Sequence, residues 1–194
     1  SLQRLCREFG IGIGRTMDVI PDPGFYINTG VATSSALPFN GRRKVMLQFS
    51  ADNLGARFGN EDVLREVMNT VLTQVYDAAE SRNLDIVFAM HTTPDLFLAA
   101  TAISAIQSAN NSFVRDRVKV LEIGSASRAR DFFSNYKECD LVIGMRGHSV
   151  ICATGLGTPV IALSTHPKVE GNMQELGLPR WTVTPQTLDK LGIL

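Results

Sequence analysis

From Lys44 onward, short runs of continuously apolar residues alternate with stretches that are apolar at helical spacing, and few folds accept that rhythm. The strand-like runs fall at 45–49, 86–90, 118–123, 141–143, 160–163 and 181–184. A strand with one wet face alternates apolar and polar residues. A run without alternation is covered on both faces, as in a parallel sheet sandwiched by helices. Helix signals fill the gaps. Asn60-Glu61-Asp62 opens a helix with acids where its dipole favours them, and Val63, Leu64, Val67, Met68, Val71, Leu72 and Val75 form its stripe. Pro94 suits the first turn of a helix reaching about residue 109, and Ser125 an N-cap for 125–136. Further helices are expected at 149–156, 169–176 and 185–191. The chain is therefore expected to be α/β, a doubly wound Rossmann-like parallel sheet of about six strands in order 3-2-1-4-5-6. That order puts a ligand crevice beyond the C-terminal ends of strands one and four.

The first 43 residues lack the rhythm. They hold a short helical pattern at 2–9, glycines at 10, 12 and 14, a β-like run at 17–20, the turn Pro21-Asp22-Pro23-Gly24, and a Thr/Ser/Ala/Pro/Gly-rich stretch at 28–43. We read 1–43 as a remnant of an N-terminal domain with an interdomain linker, and 44–194 as a Rossmann-like C-terminal domain. The chain opens at Ser1 rather than Met, so further sequence is expected upstream.

Among 194 residues 44% are hydrophobic and 20% charged, which excludes a disordered polymer. Lys+Arg and Asp+Glu each total 19, so the formal charge is zero. That balance argues against a broad footprint for nucleic acid or anionic membrane, but not against a site for a small anion. Cys6, Cys139 and Cys152 are few, odd in number and far apart, with no metal-ligand spacing. The last two sit in apolar stretches and are expected to be buried hydrophobes in a reducing, cytoplasmic setting. No apolar segment approaches the ~20 residues that cross a bilayer, and no signal peptide is visible.

The loop after strand four, Gly144-Met145-Arg146-Gly147-His148-Ser149, carries the most chemistry. A guanidinium binds a carboxylate or phosphate through two parallel hydrogen bonds. An imidazole donates to an anion or moves a proton near neutral pH. A following helix N-terminus adds N–H donors, and glycines admit a ligand close to the backbone. The same residue types would also fit a salt bridge at Arg146 and a helix cap at His148. Arg146 and His148 are the catalytic candidates. Gly147 and Ser149 beside them, and Ser50 and Asn53 at the end of strand one, are candidates for substrate contact. After strand five, Lys168 is a candidate second cation and His166 a further contact, or the two form a solvated pair. His91 ends strand two beside Thr92, Thr93 and Asp95, and either binds ligand or caps a helix. No spacing among the three histidines supports a metal site. Gly155-Leu156-Gly157-Thr158-Pro159 lacks the Lys-Ser/Thr of a phosphate loop and reads as a helix end and tight turn.

Taken whole, ECDLVIGMRGHSVICATGLGTPVIALSTHPKVEGNMQELGL (138–178) resembles the signature of the polysaccharide pyruvyl transferase family. The shared features are an acidic-apolar strand, Arg146-x-His148, a small-residue helix at 153–156, Gly157-x-Pro159, a strand at 161–163, Pro167-Lys168-Val169, and Glu175 to Leu178. Pro21-Asp22-Pro23 is similar to the family's segment at the domain junction. Gly147 stands where the family usually has a large apolar residue, and Ser164-Thr165-His166 where it often has a Tyr. The resemblance implies one lobe of a two-domain, GT-B-like protein whose N-terminal lobe lies elsewhere. It implies transfer of pyruvyl from phosphoenolpyruvate, with no other cofactor, to a hydroxyl pair of a sugar or lipid-linked oligosaccharide. That work belongs to surface or exopolysaccharide synthesis, in the cytoplasm or peripheral to the inner face of the membrane. In that scheme Arg146 and Lys168 hold the donor's anionic groups, and His148 donates a proton or steadies the departing phosphate. The residues alone also fit a glycosyltransferase lobe that binds a nucleotide-sugar, or a non-catalytic sugar- or phosphate-binding module.

Overall fold

The computed structural model describes residues 22–26, 41–50, 52, 57–122 and 129–191. The expected elements at 2–9 and 17–20, most of the linker, Cys6, Asn53 and the Ser125 cap lie outside the described residues.

Six strands form one parallel sheet: β1 (Lys44–Gln48), β2 (Asp85–Met90), β3 (Val118–Glu122), β4 (Leu141–Gly144), β5 (Val160–Leu163) and β6 (Thr182–Val183). Their order is β3-β2-β1-β4-β5-β6, as the alternation predicts. Successive residues of a strand serve opposite faces. Val45 and Leu47 face one core with Ile86, Phe88 and Ile143, while Met46 faces the other with Val87, Val142 and Ala162. This two-sided burial is why β1 is apolar without alternation.

Helices α1 (Glu61–Arg82), α2 (Thr93–Ala109) and α3 (Asn111–Arg117) line the first core. Helices α4 (Ala129–Ser134), α5 (Gly147–Gly155) and α6 (Pro167–Glu175) line the second. Asn60 caps α1 by accepting from Val63 N–H at 3.0 Å, and Asn83 ends it in the left-handed region. Coverage thus changes face where the chain passes from β3 to β4, which leaves β1 and β4 as neighbours at the switch point. There Gln48 pairs with Gly144.

Several elements differ from expectation. Helix α3 was not foreseen: Asn110 both closes α2 and caps α3, accepting from Phe113 N–H at 3.0 Å. The helix expected to run to residue 136 tightens at Asn135 into a 3-10 turn, because Asn135 Nδ2 donates to the carbonyls of Asp131 and Phe132. Strand β6 has two residues, since Pro179–Trp181 form a turn before it. Helices α5 and α6 each begin two residues earlier than expected, and Pro167 is the first residue of α6.

Residues 23–26 form a 3-10 turn packed on α5. Gly24 and Gly155 permit the approach, for a Cβ on Gly155 would lie 2.8 Å from Gly24 O and from Phe25 Cα and O. Cys139 and Cys152 are buried, and burial pushes both thiols up to about 12. Among the described residues no helix is long and apolar enough to cross a membrane.

Candidate functional site at the sheet switch point

The site is built on a buried amide. Gln48, at the end of β1, has no solvent exposure. Its Oε1 accepts from Arg146 N–H at 2.8 Å and from Met145 N–H at 3.3 Å, and its Nε2 donates to Phe49 O at 2.6 Å. A buried polar group must be satisfied, so Gln48 fixes the path of the chain leaving β4. That path makes Arg146 the N-cap of α5 and puts Gly147 and His148 in its first turn.

The glycines of the loop serve different ends. A Cβ on Gly144 would collide with Ser149 Oγ, so the absent side chain lets Ser149 close against the strand end. Ser149 is fully buried and donates to Arg146 O at 2.7 Å. Gly147 has open space where a side chain would be.

The Arg146 guanidinium is held from two sides. Nε lies 3.1 Å from Asp95 Oδ2 and Nη2 2.8 Å from Asp95 Oδ1, while Nη2 also donates to Thr92 Oγ1 at 3.0 Å. Nη1 reaches Asp52 Oδ1 at 3.2 Å. Asp95 is itself fixed, since its Oδ2 accepts from the N–H groups of His91 and Thr92 at 3.1 Å each. The salt-bridge reading of Arg146 is therefore present in the structure. The helix-cap reading of His148 is corrected, because the cap is Arg146 and His148 follows it, exposed and without a hydrogen-bond partner among the described residues.

His91 sits in an aromatic cage of Phe132, Phe133 and Tyr136, with edge-on contacts to each ring. Its Nε2 lies 2.6 Å from the Tyr136 hydroxyl. Burial first, then the charge of Arg146, lowers its pKa to about 3, against a smaller pull upward from Asp95. The ring is neutral at physiological pH and cannot act there as a cationic anchor. Burial pushes the Tyr136 hydroxyl well above its ordinary value.

His166 caps α6, its Nδ1 accepting from Lys168 N–H at 3.1 Å, and both side chains are exposed. Ser50 is fully buried and donates to Asp52 Oδ1. Hydrogen bonds thus join Arg146 to Ser149 directly and to His91 through Asp95, and the ion pair with Asp52 links it to Ser50. His148 follows Arg146 by two residues, His166 ends the loop after β5 as the cap of α6, and Lys168 is in the first turn of α6. Gln48, Asp52, Arg57, Asp95, Tyr136 and Thr165 were not foreseen as parts of the site. Two carried a signal: Gln48 is polar within an apolar run, and Asp95 stands three residues after Thr92, a helix-start spacing.

Solved structures of similar fold include UDP-GlcNAc 2-epimerase from Methanocaldococcus jannaschii, with 13% identity, a TM-score of 0.49, and coverage of 81% of this chain and 39% of that one. A putative UDP-N-acetylglucosamine 2-epimerase from Listeria monocytogenes shows 21% identity, a TM-score of 0.47, and coverage of 78% and 36%. UDP-GlcNAc 2-epimerase from Neisseria meningitidis bound to UDP-GlcNAc shows 14%, 0.44, and 79% and 40%. The chain spans about two fifths of the length of these proteins. The family model named polysaccharide pyruvyl transferase matches residues 7–167, a span that takes in β1 to β5 and the whole Arg146–His148 loop. With most of its length matched, the chain belongs to the polysaccharide pyruvyl transferase family.

Proposed function

We propose that residues 44–194 form one wall of a cleft that transfers pyruvyl from phosphoenolpyruvate to two hydroxyls of a sugar, giving a ketal. The observation that carries this reading is the pairing of a rigid Arg146 with an exposed His148 in the first turn of α5, at the switch point. Protonation of the donor's methylene carbon makes it a methyl group and leaves the adjacent carbon electron-poor. One sugar hydroxyl adds there and loses its proton. Phosphate departs with the bonding pair, and the second hydroxyl closes the ring and loses its proton. No oxidant or reductant is needed. In this scheme His148 supplies the proton or steadies the departing phosphate, while Arg146 and Lys168 meet the anionic groups. A neutral His91 offers a hydrogen bond rather than a charge. The acceptor is a sugar or a lipid-linked oligosaccharide, met in the cytoplasm or at the inner membrane face and completed by a second lobe.

Because His148 is exposed and bonded to nothing among the described residues, it is a clean probe. His148→Ala in the full-length protein is expected to lower turnover with phosphoenolpyruvate about a hundredfold, about 2.7 kcal/mol of barrier, at an unchanged melting temperature. Turnover within twofold of wild type would sink the assignment of His148. Calorimetric binding of a uridine or guanosine diphosphate sugar in place of phosphoenolpyruvate would sink the donor. Binding of neither would favour a non-catalytic module.

A further inference from the structure

Arg146 shares one of its carboxylates with a second guanidinium. Arg57, only 11% exposed, reaches Asp52 Oδ2 with Nη2 at 3.3 Å and Asp52 O with Nε at 3.0 Å. Its Nη1 donates to Thr165 Oγ1 at 3.1 Å, at the end of β5. Asp52 thus lies between Arg57 on one oxygen and Arg146 on the other, with the Ser50 hydroxyl also donating to it.

The two carboxylates on Arg146 differ in kind. Asp95 is 1% exposed, accepts two backbone N–H groups, and meets Arg146 through two parallel bonds. It is part of the scaffold. Asp52 is 39% exposed and meets Arg146 through Nη1 alone. Asp52 is the solvent-facing member of the pair, so an incoming anion can reach its place without displacing the buried Asp95. The carboxyl stays ionised: burial acts to raise its pKa, but the Ser50 hydroxyl, then Arg146 and Arg57, outweigh it and hold it below the usual value. The charges also match. Two guanidiniums face two carboxylates, so replacing Asp52 with another anion preserves the balance, whereas removing it leaves one positive charge in excess.

We infer that Arg57, Arg146 and Thr165 form an oxyanion site, and that Asp52 is the chain's own carboxylate filling it until a substrate carboxylate or phosphate takes its place. The identity of that substrate as phosphoenolpyruvate rests on the function proposed above. The site itself rests on the two guanidiniums. Arg57 joins Arg146 and Lys168 in meeting the donor's anionic groups, and Asp52 makes every anion compete with a tethered one.

The test is calorimetric titration of the full-length protein with two probes, inorganic phosphate and phosphoenolpyruvate. Asp52→Asn keeps the size of the side chain and removes its charge, and is expected to tighten at least one probe about fivefold or more. Arg57→Gln is expected to weaken it about tenfold, a loss of about 1.4 kcal/mol. These opposite signs are the content of the proposal. Equal or weaker binding of both probes by Asp52→Asn makes Asp52 a strut and overturns it. Asp52→Ser repeats the test if Asp52→Asn does not fold, and a protein that folds with neither also overturns it, since a placeholder must be removable. A gain for phosphate alone, with phosphoenolpyruvate ignored throughout, would sink the pyruvyl donor and leave the oxyanion site standing. Intact phosphoenolpyruvate binding without any gain in Asp52→Asn would do the reverse.

Discussion

Arg146 and Asp95 lock together through two hydrogen bonds, Nε to Oδ2 at 3.1 Å and Nη2 to Oδ1 at 2.8 Å, across the ends of β4 and β2. The pair ties the two loops into one rigid edge. Arg146 has two carboxylate partners, and only this one is sealed from solvent. The same guanidinium therefore has a fixed side, toward Asp95, and an exchangeable side, toward Asp52.

Stability separates the two sides. Removing one member of a buried pair strands the other and costs about 3–5 kcal/mol. Asp95→Asn also weakens the contact to the N–H groups that open α2, so a loss of about 3 kcal/mol or more is expected in urea unfolding. Asp52→Asn, at a carboxylate 39% exposed, keeps the side chain's size and can still accept from Ser50, and is expected to cost clearly less than Asp95→Asn. Equal losses at the two positions would contradict the division into scaffold and placeholder.

His91 gives the protein an acid-sensitive component of stability. Its folded pKa is about 3, below the 6.5 of the free side chain. Above pH 6.5 neither state binds the proton, and the contribution is fully present. As pH falls from 6.5 toward 3 only the unfolded chain takes it up, so stability declines, by at most about 1.4 kcal/mol per pH unit from this group. His91→Gln removes that slope. Urea unfolding at pH 7 and pH 5 should show a smaller acid loss in the variant than in wild type, and equal losses would mean that the ring is protonated in the folded protein. Asp52, held below its ordinary value of 3.8, loses its contribution only as pH falls to that value and beyond, below the pH 5 of this comparison.

What could be read without coordinates was whatever the local pattern controls. Continuous apolar strands and helical stripes state which residues are covered and on how many faces, and that is enough to order the sheet and to put Arg146 and His148 at its switch point. Side-chain partners are another matter. Arg146 pairs with residues 51 and 94 positions away, and His91 with Tyr136, 45 positions away. Such pairs depend on register and loop path, which no local pattern carries. Gln48 shows both sides: a polar residue ending an apolar run marks a special position, but only the register against Gly144 reveals that its amide organises the loop after β4. Helix α3 was missed for a simpler reason: Asn110 ends one helix and starts the next, and a residue serving both roles looks like a loop.

The two glycines flanking Arg146 should respond oppositely to the same change. A Cβ at Gly144 would strike Ser149 Oγ and lie 3.1 Å from Ser149 Cβ, on a residue with no room to retreat. Gly144→Ala is expected to lower stability by about 1–3 kcal/mol, as overpacking does. Gly147→Ala meets nothing within 4 Å at the first residue of α5, and should leave the melting temperature unchanged or raise it, by up to about 0.5–1 kcal/mol of helix preference. Thermal melts of the two variants decide. A destabilised Gly147→Ala would mean that the open space is needed by something else.

Residues 22–26 cover Cys152, and Gly155 controls how closely they sit. The thiol is 2% exposed, and a Cβ on Gly24 would come within 3.3 Å of its sulfur. On the same helix, Gly155→Ala would push a methyl group against Gly24 O and Phe25 Cα at 2.8 Å, atoms of the backbone that cannot rotate away. The segment has to lift, at a cost of about 1–3 kcal/mol. Lifting it uncovers Cys152 and relieves the burial that holds its pKa near 12, and both changes favour the reactive thiolate. Maleimide labelling mapped by mass spectrometry should therefore speed up at Cys152, about tenfold for each 1.4 kcal/mol of easier opening. Cys139, whose buried thiol donates to Asn135 O and not to residues 22–26, is the internal control. Faster labelling of both cysteines would report global loosening, and no change at Cys152 would mean that Gly155 does not govern the docking of residues 22–26.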